Sequence, residues 1–139
     1  MKGDLAMDIR EEDKEFIRFK LTQAREAYEE AKGLLAAGAD LGYVVNSVYY
    51  AFYYPALALL QAKGVPAAMQ SVSIALFEKE LVRTGVIDRR YHQALRKAFE
   101  LKPKCSTPEL KMFSRDDVET LLVDAGDFLD SVAGKTSLP

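Results

Sequence analysis

Residues 43–55 read YVVNSVYYAFYYP, and this stretch decides the fold. It holds five of the seven tyrosines of the chain, and it lies in a run, residues 41–62, that has no charged side chain. About 20 apolar residues would suffice to cross a bilayer. Asn46, Ser47 and Gln61 interrupt this run, however, and its tyrosines lie in the middle, whereas membrane spans collect tyrosine at their two ends. Because a helix that is apolar on most sides is usually buried, the stretch predicts the central helix of a bundle.

The segment before this central helix is amphipathic and needs an apolar surface to pack against. Residues 11–37 carry apolar side chains at steps of four and three, which places on one helical stripe Ile17, Leu21, Ala24, Tyr28, Ala31 and Leu35. Acidic residues crowd the first turns, where they offset the helix dipole. Gly38 suits a C-terminal cap, and Asp40 can cap the central helix, which runs to about Lys63. Pro55 lacks an N–H group, so we expect a bend in that helix.

Three further helices follow in the second half of the chain. Their expected ranges and caps are 67–83 with Gly85 after it, 88–102 with Asp88 as cap, and 115–133 with a capping box formed by Ser114 and Asp117. Residues 102–113 form a loop, and residues 1–10 and 134–139 are expected to be frayed. No segment alternates with period two, so we expect no sheet. The chain is therefore predicted to be one all-α domain, 1–139, folded as an antiparallel up-and-down bundle of four to five helices.

Composition narrows the classes of function. The chain has one cysteine, Cys105, and one histidine, His92, which excludes disulfide frameworks and metal sites built from several histidines or thiolates. It has no glycine-rich phosphate loop and no hydrolase or metalloprotease motif, so we expect no cofactor and no metal. A net charge of −2 gives no overall attraction to nucleic acid or to anionic lipid. The N-terminal residues lack a signal-peptide core, and the expected location is the cytoplasm.

The tyrosines and a basic region are the two features that suggest a binding role. Tyr43, Tyr50 and Tyr54 fall on one face of the central helix, where the rings can fill a core, form a dimer contact or hold a ligand. Buried phenols need hydrogen-bond partners, which neighbouring polar side chains such as Asn46, or backbone carbonyls, could supply. Residues 83–111 contain eight basic and three acidic side chains. This excess indicates either solvated helix surfaces or a patch that binds phosphate or an acidic partner.

Two stretches of the chain resemble a known family. NSVYYAFYYPALALLQAKGV, residues 46–65, and IALFEKELVRTGVI, residues 74–87, are similar to the small prokaryotic HEPN proteins, the higher eukaryotes and prokaryotes nucleotide-binding family. Tyr49, Tyr50 and Ala51 match the double-tyrosine helix that is typical of that family. The resemblance implies an antiparallel helical bundle that is commonly dimeric.

The resemblance also implies a set of functions. Many relatives are encoded beside a minimal nucleotidyltransferase as a toxin–antitoxin pair. Active members are metal-independent ribonucleases that use an Arg-x4–6-His motif, with sites from two protomers meeting in the dimer cleft. In some pairs the nucleotidyltransferase transfers AMP to a tyrosine near that motif and silences the nuclease.

The sequence departs from this family pattern where RNA cleavage depends on it. Ser47 stands where arginine precedes the double tyrosine, Tyr54 stands where relatives often have histidine, and Lys102 aligns with a late arginine. His92 follows the nearest arginines by only two and three residues, so Arg-x4–6-His is absent. Metal-free cleavage needs a base for the 2′-hydroxyl proton and a cation for the phosphorane charge. We therefore expect no efficient ribonuclease activity.

The leading hypothesis is a HEPN-like bundle that forms a homodimer and acts as the toxin–antitoxin-type partner of a minimal nucleotidyltransferase. Nucleotide or RNA phosphate could dock on its basic side chains. The candidate residues for ligand or partner binding are Tyr50, Tyr54, Arg96, Lys97, Lys102 and Lys104. Two alternatives stay open. One is a ribonuclease toxin with a rearranged site, in which His92, the one candidate catalytic residue, acts with Arg89, Arg96 or Lys102. The other is a purely structural dimerisation module.

Overall fold

The computed structural model describes residues 7–103 and 114–137, and all regular structure within those ranges is helical. Five α-helices follow one another along the chain: α1 (Glu11–Ala36), α2 (Leu41–Ala62), α3 (Gln70–Phe77), α4 (Arg89–Leu101) and α5 (Arg115–Thr136). A π-helical turn, Glu78–Val82, continues α3. The predicted all-α bundle is therefore confirmed.

Helix α2 is the centre of the bundle, as its uncharged sequence predicts. It contacts each of the other four α-helices, and 14 of its 22 residues are buried. Two hydrogen bonds show that α1 and α2 run antiparallel. The Gln61 amide donates to Asp13 at 2.9 Å, and the Ser47 hydroxyl donates to Glu30 at 2.8 Å, so the end of one helix lies beside the start of the other.

The turn between α1 and α2 follows from its sequence. Gly38 adopts a φ of 75°, a backbone conformation that costs glycine little. The Asp40 carboxylate then accepts the Gly42 N–H at 2.9 Å and caps α2. Both caps were expected. Pro55 lies within α2, and the bend expected there stays a prediction.

Helix α3 begins at Gln70, three residues later than the expected start at Ala67. The Ala68 N–H donates to the Ser73 hydroxyl at 3.1 Å, and that hydroxyl donates back to the Ala68 carbonyl at 3.3 Å. These two bonds satisfy the Ala68 backbone outside the helix, so the helical ladder starts after it. At the other end the Arg83 N–H donates to the Glu78 carbonyl, five residues back, which closes the π-helical turn before Gly85.

The last two helices carry the predicted caps, and α5 is longer than expected. Asp88 caps α4, and Ser114 with Asp117 forms the capping box of α5. Residues 134–136, expected to be frayed, continue α5 because the buried Thr136 hydroxyl donates to the Val132 carbonyl at 2.9 Å. The Met7 N–H donates to the Lys135 carbonyl at 2.7 Å, so residues ahead of α1 also pack on this end.

Candidate functional site

The tyrosines of α2 divide into three environments. Tyr49 and Tyr53 are buried, Tyr50 and Tyr54 are half-buried, and Tyr43 is 69% exposed at the start of the helix. Burial in the core, predicted from the uncharged sequence, is therefore confirmed for the two inner rings. The half-buried pair and Tyr43 remain accessible on the outer face of α2.

The inner rings serve packing. The Tyr49 hydroxyl donates to the side-chain oxygen of Gln70 on α3 at 2.8 Å. The expected partners were neighbouring polar side chains such as Asn46, or backbone carbonyls, so the actual partner of Tyr49 differs from the expectation. Burial raises the pKa of Tyr49 well above its usual range. The ring therefore stays neutral and contributes apolar area and one hydrogen bond to the core.

Tyr50 and Tyr54 line a cleft of about 230 Å³ between α1 and α2, which we call the tyrosine cleft. Their rings stack with centroids 5.3 Å apart and planes 30° apart. The other lining residues are Gln23, Glu26, Ala27, Glu30, Asn46 and Ser47. Ser47, which replaces the family's arginine, is buried and donates its hydroxyl proton to Glu30. The two tyrosines proposed from the sequence therefore meet an acidic surface of α1.

A lysine sits beside this cleft among aromatic rings. The Lys20 ammonium lies 5.1 Å from the ring centroid of Tyr54, 5.5 Å from that of Phe16 and 5.6 Å from that of Phe19. Partial burial lowers its pKa. Phe19 is 59% exposed, so aromatic surface extends from the cleft along α1. Exposed aromatic side chains of this kind are typical of protein interfaces.

The described basic residues among those proposed for phosphate binding have different neighbours. Arg96 and Lys97 line a shallow groove on α4, where Lys97 lies 3.8 Å from the Asp117 carboxylate. The Lys102 ammonium lies over the Tyr49 ring, 5.2 Å from its centroid. Lys104, like Cys105, falls outside the described residues. The structure thus brings Arg96 and Lys97 together and places Lys102 against the aromatic core.

Arg96 also lines a second cleft, of about 550 Å³, between α3 with its π-helical turn and α4. We call it the histidine cleft. Its lining residues are Ser71, Ile74, Ala75, Glu78, Lys79, Arg83, His92, Arg96, Phe99 and Glu100. Glu78 accepts from Arg83 at 2.9 Å and from Arg89 at 3.3 Å, and the hydrogen bond from Arg83 lowers the pKa of that carboxyl.

His92 lies at the floor of the histidine cleft and is buried. Its Nε2 is 3.2 Å from the Ile74 carbonyl oxygen, and its ring stacks on Phe77 with planes 12° apart. A carbonyl oxygen only accepts, so Nε2 carries the proton in this bond. Burial is the main cause that lowers the pKa of His92, which keeps the ring neutral near pH 7.

This buried histidine makes the stability of the protein depend on pH. The unfolded chain binds the His92 proton more tightly than the folded chain does, because the pKa is lower in the fold. The free energy of unfolding should therefore fall as pH drops below the unfolded pKa of about 6.5. Urea denaturation across this range should show the decline in the wild type and a flatter profile in His92→Gln. A His92 ring that titrates at or above about 6.5 by NMR would contradict the assignment.

Several cleft residues were missed by reasoning from the sequence. Gln23, Glu26 and Glu30 recur at steps of three and four, which places them on one side of α1. This spacing was the available signal, but a polar stripe on an amphipathic helix is typical of solvent exposure. Glu78 and Lys79 of the histidine cleft were not singled out from the sequence either.

The part of the chain that the structure describes contains neither a metal-binding cluster nor a membrane-spanning helix. Across residues 7–103 and 114–137 no group of three histidine, cysteine or acidic side chains is placed to hold a metal ion. Among the helices described here, none has the combination of length and hydropathy that spanning a membrane requires.

Comparison with known proteins identifies relatives of the chain. A model of the HEPN domain matches residues 17–135, a range that contains both clefts. The chain is also similar to a UPF0332 protein of Thermotoga maritima, with 32% identity over 121 residues, which cover 87% of this chain and 91% of the relative.

Proposed function

The chain belongs to the HEPN domain family, and on that premise we propose that it works as a binding protein, the toxin–antitoxin-type partner of a minimal nucleotidyltransferase, and not as an efficient nuclease. The proposal combines the pairing that is common among small HEPN proteins with the chemistry of this chain. Its binding surface is the outer face of α1 and α2 around Tyr50 and Tyr54, where half-buried rings and carboxylates face solvent.

The burial of His92 is the observation that supports the proposed lack of efficient nuclease activity. A general base must reach the proton that it abstracts. His92 is the one histidine of the chain, and its Nε2 proton is held by the Ile74 carbonyl in the core. Arg89, which could have assisted it, binds the Glu78 carboxylate. Metal-free RNA cleavage in this family uses an accessible imidazole and an arginine at the family spacing. This chain has neither, because its one histidine is buried and no arginine precedes it at that spacing.

An RNA cleavage assay tests this part of the proposal. Purified protein, without added metal, should degrade a mixed-sequence RNA no faster than buffer does, and His92→Ala should behave like the wild type. Pull-down from the native host with mass identification tests the pairing, and we expect a minimal nucleotidyltransferase in the eluate. Cleavage by the wild type that is lost in His92→Ala would instead establish the ribonuclease alternative.

One observation favours the ribonuclease alternative. His92 and Arg96 line the same cleft of about 550 Å³, a volume typical of small-ligand sites. In this second candidate function Arg96 would balance phosphate charge beside His92. The assay above decides between the two because only the alternative needs the imidazole for turnover.

We also propose phosphate binding, a homodimer and a cytoplasmic location as parts of the same function. Nucleotide or RNA phosphate would dock near Arg96 and Lys97, with Lys102 and Lys104 following them in the chain, and such binding should weaken steeply as salt rises.

The dimer would form through α2, where Tyr43 is exposed. A strict monomer in size-exclusion chromatography with light scattering would remove the dimer, and a purely structural module would bind neither ATP nor short RNA.

A further inference from the structure

Helix α3 and the residues before it are apolar on the outer side as well as on the inner side. Residues 64–77 have no charged side chain. Ile74 and Phe77 are buried in the core, whereas Met69 is 74% exposed and Val72 is 45% exposed. A helix that is apolar all round is usually covered on all sides. Within residues 7–103 and 114–137 the outer side of α3 has no such cover, so it is suited to contact with another molecule.

Two polar side chains of α3 are used on its inner side and do not cover the outer one. Gln70 accepts the hydroxyl proton of Tyr49 at 2.8 Å. Ser73 is buried and bonds the Ala68 backbone at 3.1 and 3.3 Å. Exposed apolar residues recur instead at steps of three, along one side of the helix, and we call them the apolar strip: Met69, Val72 and Ala75.

The apolar strip leads into the histidine cleft. Ala75 belongs to both, and Ile74 and Phe99 add apolar surface to the walls of the cleft. On the α3 side the lining extends from Ser71 to Arg83, which is about 18 Å at about 1.5 Å per residue. A groove of this length, with a volume of about 550 Å³, has room for several side chains of one chain segment. A small molecule confined to the cleft would leave the rest of the apolar strip exposed.

The charges of the histidine cleft determine which kind of segment fits it. The lining contains three basic and two acidic side chains. Glu78, one of the two acidic residues, is compensated twice, by Arg83 at 2.9 Å and by Arg89 at 3.3 Å. Glu100, the other, lies 3.6 Å from Arg96, and these two side chains are 61% and 60% exposed, so their pairing contributes little. The excess charge is positive, and its complement carries carboxylates.

Lys79 makes this positive excess accessible. It is exposed and follows Ala75 of the apolar strip by four residues, on the same side of the helix. It forms no ion pair with the residues that the structure describes. A second copy of the chain, docked about a two-fold axis, would place this face against itself and bring like charges together. An acidic partner of another kind avoids that repulsion.

We propose that the apolar strip and the histidine cleft together bind an acidic and apolar segment of a partner protein. Apolar side chains of that segment cover Met69 and Val72 and enter the cleft beside Phe99, and its carboxylates pair with Lys79 and Arg96. This surface belongs to α3 and α4, whereas the tyrosine cleft belongs to α1 and α2. The inference therefore goes beyond the proposed function and does not depend on the partner being a nucleotidyltransferase.

A synthetic peptide tests this surface without any partner protein. The probe has about 12 residues, enough to span the groove as a helix at about 1.5 Å per residue, with leucine at helical spacing on one side and glutamate at the other positions. It is titrated into isotopically labelled full-length protein and followed by NMR. We expect saturable shifts at Val72, Lys79 and Phe99, with a dissociation constant on the order of 100 μM. A second peptide with lysine in place of every glutamate should bind at least about tenfold more weakly.

Matched variants locate the bound peptide. Met69→Ser/Val72→Ser removes exposed apolar side chains and should weaken binding of the glutamate peptide at least about tenfold. Val123→Ser removes an apolar side chain that is 61% exposed on α5 and should leave the affinity within about twofold. Lys79→Glu should also weaken binding about tenfold, whereas Lys32→Glu, on α1, should stay within about threefold. All of these positions are exposed, so circular dichroism should show every variant folded.

Several results would overturn the inference. Equal binding of the two peptides would show that the surface does not select an acidic segment, and unchanged affinity in Met69→Ser/Val72→Ser would place the peptide elsewhere. A wild-type dimer that becomes a monomer in that variant, measured by light scattering, would make a second copy the occupant. A short RNA that displaces the peptide and shifts the same residues would make nucleic acid the occupant. Because the probe contains no nucleotidyltransferase, its failure to bind would leave the proposed pairing standing.

Discussion

Replacing Phe128 with alanine should lower the free energy of unfolding by about 3–5 kcal/mol, the range for large aromatic deletions in a core. Phe128 on α5 is fully buried. Its ring centroid lies 5.8 Å from that of Phe52 on α2, 5.7 Å from Phe77 on α3 and 5.1 Å from Tyr91 on α4. The substitution therefore removes the ring that joins four helices and leaves a cavity that they can fill only in part.

Chemical denaturation followed by circular dichroism measures this loss. Val123→Ala is the matched control, because Val123 lies on the same helix but is 61% exposed, and it should change stability by no more than about 0.5 kcal/mol. Both variants need the same protein concentration, since self-association would stabilise the folded form. A loss below about 1 kcal/mol in Phe128→Ala would mean that these four helices do not share one aromatic core.

Reversing the charge of the tyrosine cleft should weaken the proposed complex with a nucleotidyltransferase by about a hundredfold or more. In Glu26→Lys/Glu30→Lys the proposed binding surface presents two positive charges in place of two negative ones to the partner. Breaking a charge pair at an interface costs about 2–5 kcal/mol, and like charges add repulsion. Titration calorimetry with the copurified nucleotidyltransferase measures the effect. The affinity of the wild type, but not of the variant, should fall as salt rises.

Glu29→Lys controls for the general change in charge on α1, and its affinity should stay within about threefold of the wild type, because exposed charges away from a contact contribute little. Circular dichroism should show both variants folded, as Glu26 and Glu30 are exposed. Unchanged affinity in the double reversal would exclude the tyrosine cleft as the contact. Failure to recover any nucleotidyltransferase with the wild type would instead count against the pairing itself.

The helices could be predicted from the sequence because their signals are local. The apolar stripe of α1, the cap at Asp40 and the capping box of α5 each involve residues within a few positions of one another, and the structure confirms them. The two errors lay at helix ends, where a single hydrogen bond decides at which residue the helix begins or stops. Ser73 reaches back to Ala68 and delays the start of α3, and Met7 binds the end of α5 from the opposite end of the chain.

The candidate sites were less predictable than the helices. Tyr50 and Tyr54 were proposed from their spacing on α2, but Gln23 was missed because its role depends on which side of α1 faces those rings. His92 follows Tyr91 on a helix whose apolar stripe is clear, yet its own burial depends on the packing of α3. The basic residues are close in sequence, but Lys102 turns toward the Tyr49 ring while Lys97 faces Asp117.

The sequence by itself determined that this chain is an all-α bundle with its uncharged helix at the centre, because periodicity and the burial of apolar surface follow from neighbouring residues. Only the tertiary structure decided which polar groups meet. The packing of α1 against α2 joins the Gln23 side chain, two carboxylates and two tyrosine rings in one cleft. The packing of α3 against α4 buries His92, the one histidine of the chain. Such pairings depend on how helices rotate about their axes against one another, and no local pattern in the sequence encodes that rotation.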